Sequence, residues 1–265
     1  MNQLIETVVL GVIQGLTEWL PISSTGHLKI AEKFLGLKAP LLFDVILHLG
    51  TLTVILLFFR SDIEKILSAL AHRNFKTDYG RLIPLIIVGT IPTSIIGLAF
   101  SMFLEKFFQE MLTVAVALLA CGFVLYSAKA GKEKKSNISY SAALIIGIAQ
   151  GIAVIPGLSR SGLTIATALL LGIKKDEAFK FSFLLSVPAV IGAFGLTFYT
   201  NFGELASSNL GWIEISAGVT AAMIVGYLAL KLLWKVLTKR RFHVFAFYCW
   251  ALGTLLVIGL ILGVF

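Results

Sequence analysis

Six stretches of this chain stay apolar for the length of a membrane crossing, and any fold must keep all six out of water: residues 41–59, 82–104, 111–128, 181–202, 210–230 and 242–265. A helix needs about 20 apolar residues to cross a hydrocarbon core of about 30 Å. Of the 265 residues, 58% are hydrophobic and only 14% charged, against roughly 45–50% and 25% in soluble domains. A soluble core of this size cannot hide so much Leu, Ile, Val, Phe and Ala. A soluble enzyme, a disordered chain and a nucleic-acid-binding domain are therefore excluded, and no nucleic acid is expected as a partner. Cys121 and Cys249 both lie in apolar runs and show neither disulfide nor metal spacing. The chain reads as an all-α integral membrane protein, residues 1–265 forming a single polytopic domain.

Two further apolar regions are interrupted. Residues 7–23 end at Pro21 and a Ser-Ser-Thr-Gly turn, followed by the short amphipathic stretch 28–37. Residues 138–158 end at Pro156-Gly157 and Ser-Arg-Ser-Gly, followed by 163–173, too short to cross. Broken helices at membrane depth are tolerated only where protein buries them or they line a polar cavity. Both regions read as re-entrant helix–loop–helix hairpins; the plainer alternative makes 138–158 a complete span. At an offset of 136 the two regions share Gly11 with Gly147, Gln14 with Gln150, Gly15 with Gly151, Ser23 with Ser159 and Gly26 with Gly162. That is five identities in sixteen positions, where roughly one is expected by chance. Each half, about 1–128 and 129–265, then holds one hairpin and three transmembrane helices. Three is odd, so the halves take opposite orientations, an inverted-topology repeat with its functional site near the midplane. Of 22 Lys and Arg residues, 17 fall on one face; Lys29, Lys33, Lys38 and Lys106 fall on the other, and Arg160 within the membrane. The basic face is cytoplasmic, which puts both termini outside, the first hairpin entering from outside and the second from the cytoplasm.

Glu18, His27 and Arg160 lie in these hairpins. A charge at that depth costs at least about 2.5–3.5 kcal/mol and generally faces a cavity with a partner. Glu18 and Arg160 fit either a structural ion pair between hairpins or a functional cavity. Ser23-Ser24-Thr25-Gly26 and Ser159-Arg160-Ser161-Gly162 each open a new helix. A helix start offers unpaired N–H groups and about half a positive charge, and Gly26 and Gly162 allow close approach of a ligand. One such turn is ordinarily only a cap. Two facing each other, with Arg160 as a bidentate fork, describe a receptor for phosphate or diphosphate. Ser24 and His27, three apart, share a helix face, and a hydroxyl beside an imidazole is an activated-nucleophile arrangement; the plain role of His27 is helix capping. Gln14 and Glu18, four apart, aim at the same cavity, Glu18 as a base or as holder of a divalent cation. Asp44 and His48, also four apart, are directed there by spacing alone. Gly11 with Gly15, and Gly147 with Gly151, form small-xxx-small pairs suited to close helix packing.

The stretch from Gly11 to His27 (GVIQGLTEWLPISSTGH) and that from Pro156 to Thr164 (PGLSRSGLT) resemble the two signature motifs of the bacterial undecaprenyl-diphosphate phosphatases, the bacitracin-resistance family. The likeness extends through FDVILHLG, residues 43–50. The resemblance implies hydrolysis of a polyprenyl diphosphate lipid to the monophosphate, recycling the carrier for peptidoglycan synthesis, with Mg²⁺ or Ca²⁺ as cofactor and bacitracin resistance as a consequence. It implies a multi-pass protein of the bacterial cytoplasmic membrane, with the site opening to the outer face; a homodimer stands among the expected partners. Gln14 occupies a position where the family has Glu or Gln, so Glu18 is the one acidic residue expected to act or to hold the cation. By the same resemblance Glu18, Ser24, His27 and Arg160 carry the chemistry, while Gln14, Ser23, Thr25, Gly26, Ser159, Ser161, Gly162 and Thr164 bind substrate. The alternative is a secondary transporter or flippase of a lipid phosphate or small anion, the architecture that inverted repeats also build.

Overall fold

The computed structural model describes residues 3–35, 41–104, 110–207 and 211–264. Among these the chain is helical and forms no strand, only one isolated bridge between Lys135 and Ile173. Lys38, Lys106 and Phe265, which the sequence assigns to the outer side, lie outside the described residues.

The first broken region forms α1 (Gln3–Trp19) and α2 (Ser24–Leu35). The second forms α7 (Tyr140–Ile152) and α8 (Arg160–Leu170). With 13 residues α7 is about 20 Å long, short of the hydrocarbon core, and it ends at Ile152, so 138–158 is not one continuous helix. Between them run α3 (Leu41–Phe58), α4 (Arg60–Ala71), α5 (Leu82–Ala99) and α6 (Met111–Ser127). After α8 come α9 (Lys175–Ser207), α10 (Trp212–Thr238) and α11 (Val244–Ile261). Five of these, α5, α6, α9, α10 and α11, are long and apolar enough to cross a membrane, and a sixth candidate is α3 joined to α4. That pair bends by 80°. The helix over Arg60–Ala71 is not anticipated by the sequence reading, which leaves Arg60 and Lys65 in a loop. Its polar composition hides it from a search for apolar length, while Ile63 and Ile66 pack on the core. Helices α9 and α10 also outrun their apolar stretches, extending into the charged residues Lys175 and Asp176 at one end and Lys231 and Lys235 at the other.

Glycines set which helices touch. A side chain on Gly11 would strike the Gly218 carbonyl, and one on Gly15 would meet Ala222 and Gly226. With Trp19 beside Gly226, the contact residues advance together along α1 and α10, so these helices run parallel. The second region repeats the device on the other half's helix: Gly147 abuts Gly89, and Gly151 abuts Ile96, laying α7 parallel to α5. Thr93 fastens this crossing, donating to both the Gly89 and Gly147 carbonyls at 2.9 and 2.8 Å. Helices α6 and α11 pair the opposite way. Gly122 faces Ala246 and Trp250, Gly253 faces Ala115 and Leu119, so as one advances the other retreats and the pair is antiparallel. The small-xxx-small glycines thus serve the plain packing role expected of them.

Behind the crossing of α1, α3, α9 and α10 sits an aromatic core of Trp19, Phe59, Phe179, Phe183 and Trp234. Phe179 lies 4.6 Å from Phe183 and 4.8 Å from Trp234, and Phe183 meets the Trp19 ring edge-on at 5.5 Å. This cluster fixes the last residue of α1 and hence the direction from which the chain enters its turn.

Overpacking a tight crossing costs about 1–3 kcal/mol and sometimes more. Gly147→Ala is expected to lower the melting temperature of detergent-solubilised protein measurably. Gly97→Ala, at a position with open space around it, should leave the temperature unchanged.

Candidate functional site

Where α1 ends, Leu20 and Pro21 reverse the chain and Ser23 takes a left-handed backbone, φ +70°, a region that side chains other than Gly seldom occupy. What it gains is a central position. The Ser23 hydroxyl accepts from the Gly26 amide at 3.3 Å, capping α2, and from the Gly157 amide of the other turn at 3.2 Å. Gly157 sits at φ +99°, a conformation glycine adopts freely, and a side chain there would hit Val114 and Ala117 of α6. The contact is reciprocal: a Cβ on Gly26 would lie 3.6 Å from Gly157 Cα, and one on Gly162 would lie 3.2 Å from Pro21 Cβ. Both glycines thus sit against the opposite turn as well as against the serine that caps their own helix. Ser159 caps α8 by accepting from the Gly162 amide at 3.2 Å and meets the Ser161 hydroxyl at 3.2 Å. Thr164 returns its hydroxyl to the Arg160 carbonyl at 2.9 Å. Ser23, Ser159, Ser161, Gly162 and Thr164 are all buried; the bond from the Gly157 amide to Ser23 ties the two turns together, while those of Ser159, Ser161, Gly162 and Thr164 hold the start of α8.

The chemistry collects on one carboxylate. Glu18, at the end of α1 and only 6% exposed, has its Oε1 paired with Arg160 Nη2 of α8. Its Oε2 accepts from Gln14 Nε2 at 3.0 Å and from Ser24 Oγ at 2.6 Å, and lies 3.4 Å from His48 Nε2 of α3. The Arg160 guanidinium also covers the Trp19 ring at 5.4 Å, within the range of a cation–π contact. Its Nη1 is buried without a protein partner among the described residues, as is Gln14 Oε1. Glu18, Ser24, Gln14 and Arg160 thus come together as the sequence expects, and Thr25 beside them is exposed.

His27 does not join Ser24. Its Nδ1 lies 2.7 Å from the Ser23 carbonyl and its Nε2 2.6 Å from Tyr248 Oη of α11. The spacing of three residues suggests a shared face, but the Ser24 hydroxyl turns back to Glu18 instead. Sequence reasoning missed Tyr248 altogether, since one tyrosine in an apolar span carries no spacing signal. His48 reaches Glu18 as its spacing hinted, held by its Nδ1 on the Asp44 carbonyl at 2.8 Å, whereas the Asp44 Oδ1 is buried with no partner among the described residues.

Glu18 was also expected to hold Mg²⁺ or Ca²⁺. Such ions take several oxygen ligands, carboxylates foremost. Among the described residues no three His, Cys, Asp or Glu side chains gather to hold a metal. Both Glu18 oxygens already accept from donors, one of them a guanidinium. The residues here do not fit a cation held by the protein alone.

Comparison with known proteins now bears on this arrangement. The family model described as "Bacitracin resistance protein BacA" matches residues 7–255, a span that contains every residue of the site. The chain belongs to this family. It is 40% identical to an undecaprenyl-diphosphatase of Methanobrevibacter smithii, with 99% of each chain covered. It is 41% identical to an undecaprenyl-diphosphatase of Carboxydothermus hydrogenoformans over 96% of each chain. A third, from Halothermothrix orenii, is 41% identical over 97% of this chain and 98% of its own.

Ser23→Ala removes the cap of α2 and the tie between turns together. A lost cap alone costs about 0.5–2 kcal/mol, so the variant should melt at a lower temperature in detergent than either wild type or Ser161→Ala.

Proposed function

We propose that this chain hydrolyses undecaprenyl diphosphate to undecaprenyl phosphate and inorganic phosphate. This activity recycles the lipid carrier of peptidoglycan synthesis and confers resistance to bacitracin. The observation that carries the proposal is the 2.6 Å bond from Ser24 Oγ to Glu18 Oε2, beside Arg160. A hydroxyl bonded to a carboxylate is poised to attack, and an arginine with a buried free donor is poised to hold phosphate oxygens.

The Ser24 oxygen attacks the terminal phosphorus as its proton passes to Glu18. The bond to the bridging oxygen breaks and undecaprenyl phosphate leaves. Water then splits the phosphoserine, and the proton returns from Glu18 to the serine oxygen. Arg160 and the exposed Thr25 contact the phosphate, while Gln14 and His48 keep the carboxylate in place. Most of the catalytic effect in phosphoryl transfer comes from positioning and charge stabilisation, which these groups supply. No step passes through a metal ion; the dependence on Mg²⁺ or Ca²⁺ implied by the family resemblance predicts slower release in chelator, and that assay measures it.

The setting proposed is an inverted-topology repeat in a cytoplasmic membrane, the hairpins re-entrant from opposite faces, the site open to the outer face and both termini outside. Three packing relations support the inversion: α1 lies on α10, α7 lies on α5, and the equivalent helices α6 and α11 run antiparallel. Seventeen basic residues on one face support the orientation. Inverted repeats also build transporters. Lipid flux in liposomes without phosphate release is the result that would replace hydrolysis with transport.

The decisive test is phosphate release from a prenyl diphosphate by purified protein. Ser24→Ala is expected to abolish it, and acid-stable phosphate on Ser24 is expected in rapidly quenched wild type; full turnover by Ser24→Ala removes the serine from the reaction. Arg160→Ala should lose about 2–4 kcal/mol of transition-state stabilisation, the scale of removing an oxyanion donor, read as a fall in kcat/KM of about one and a half to three orders of magnitude.

A further inference from the structure

Tyr248 belongs to no motif, and nothing above gives it work. It stands on α11, whose outward residues Phe247, Leu255 and Ile258 are exposed and apolar, and its own side chain is 45% exposed. A phenol on an apolar helix face needs a partner for its O–H. That partner is His27, 221 residues away in sequence, with the two rings nearly parallel at 13° and 5.7 Å between centroids.

The direction of this bond follows from the other end of the imidazole. Nδ1 faces the Ser23 carbonyl at 2.7 Å, and a carbonyl only accepts, so Nδ1 carries the proton of the neutral ring. Nε2 is then a lone pair, and Tyr248 must donate to it. Both nitrogens of His27 are thereby committed, one to the turn and one to α11. An uncommitted Nε2 one helical turn from Ser24 would compete with Glu18 for the serine hydroxyl.

We infer that Tyr248 is a positioning residue of the site, holding His27 as the Nδ1–H tautomer and its ring away from Ser24, so that the serine donates to Glu18 alone. Its kinetic consequence rests on the phosphatase reading above; its geometry does not. Tyr248→Phe keeps the ring and the apolar surface and removes only the donor.

Tyr248→Phe should lower kcat for a prenyl diphosphate about tenfold, the scale of one hydrogen bond, with KM unchanged because the phenol touches His27 and not the substrate. In a His27→Ala background the same change should have no further effect, since the two act as one unit. The chain has four histidines, so ¹⁵N spectra of histidine-labelled protein can follow His27 directly. Its Nε2 signal, assigned by loss in His27→Ala, should sit at a hydrogen-bonded acceptor position in wild type and move toward an unbonded one in Tyr248→Phe. Equal losses in both backgrounds, or an Nε2 signal that does not move, overturns the inference. If wild type releases no phosphate the hydrolysis reading fails, while the histidine spectra still decide the role of Tyr248.

Discussion

An ionised carboxylate buried among apolar helices is tolerable only if donors surround it, and the fold can be read as the means of supplying them to Glu18. No single segment could. Gln14 comes from α1 itself, Ser24 from α2, His48 from α3 and Arg160 from α8. Bringing α8 to α1 requires the two turns to touch, and they touch through Ser23, Gly26, Gly157, Gly162 and Pro21. Behind that contact the helices cross with no room for side chains at Gly11, Gly15 and Gly147. The glycines of α1 and α7 are therefore part of the electrostatics of the site, at one remove.

The two halves share packing and divide chemistry. Gln14 donates to Glu18, but its counterpart Gln150 donates to Thr93 and to the Leu185 carbonyl at 3.3 Å each, a structural tie. Where the first region has Glu18, Ser24 and His27, the second has Val154, Arg160 and Leu163. A shared scaffold thus presents the acid and hydroxyl from one side and the cation from the other. The ion pair between hairpins that the sequence offered as one alternative is formed, and the proposed site is built on that same contact.

Much of this was legible in the residues, and for physical reasons. Apolar length reports spans because the bilayer has a fixed thickness. Pro21 and Pro156-Gly157 report breaks because Ser and Gly stand beside them and favour a turn; proline alone does not, since Pro92 and Pro188 lie inside α5 and α9. The repeated glycines report crossings because nothing larger fits. What stayed hidden depended on three-dimensional reversal. The left-handed turn at Ser23 brings Ser24 back over α1, so the partner of the hydroxyl is Glu18, six residues earlier, and not His27 on its own helix. Helix α4 was invisible because its polar face makes it read as a loop between spans. Tyr248 was invisible because its meaning lies in a residue two hundred positions away.

The unequal division of groups between the repeats has a further consequence. The two regions match in backbone, yet the carboxylate Glu18 stands at the end of α1 while the equivalent position of the second region holds Val154, so the paired scaffold is chemically one-sided. Directionality here comes from composition and not from architecture. Two like backbones carry unlike side chains, and the asymmetry of the proposed site lies wholly in which residues each one holds.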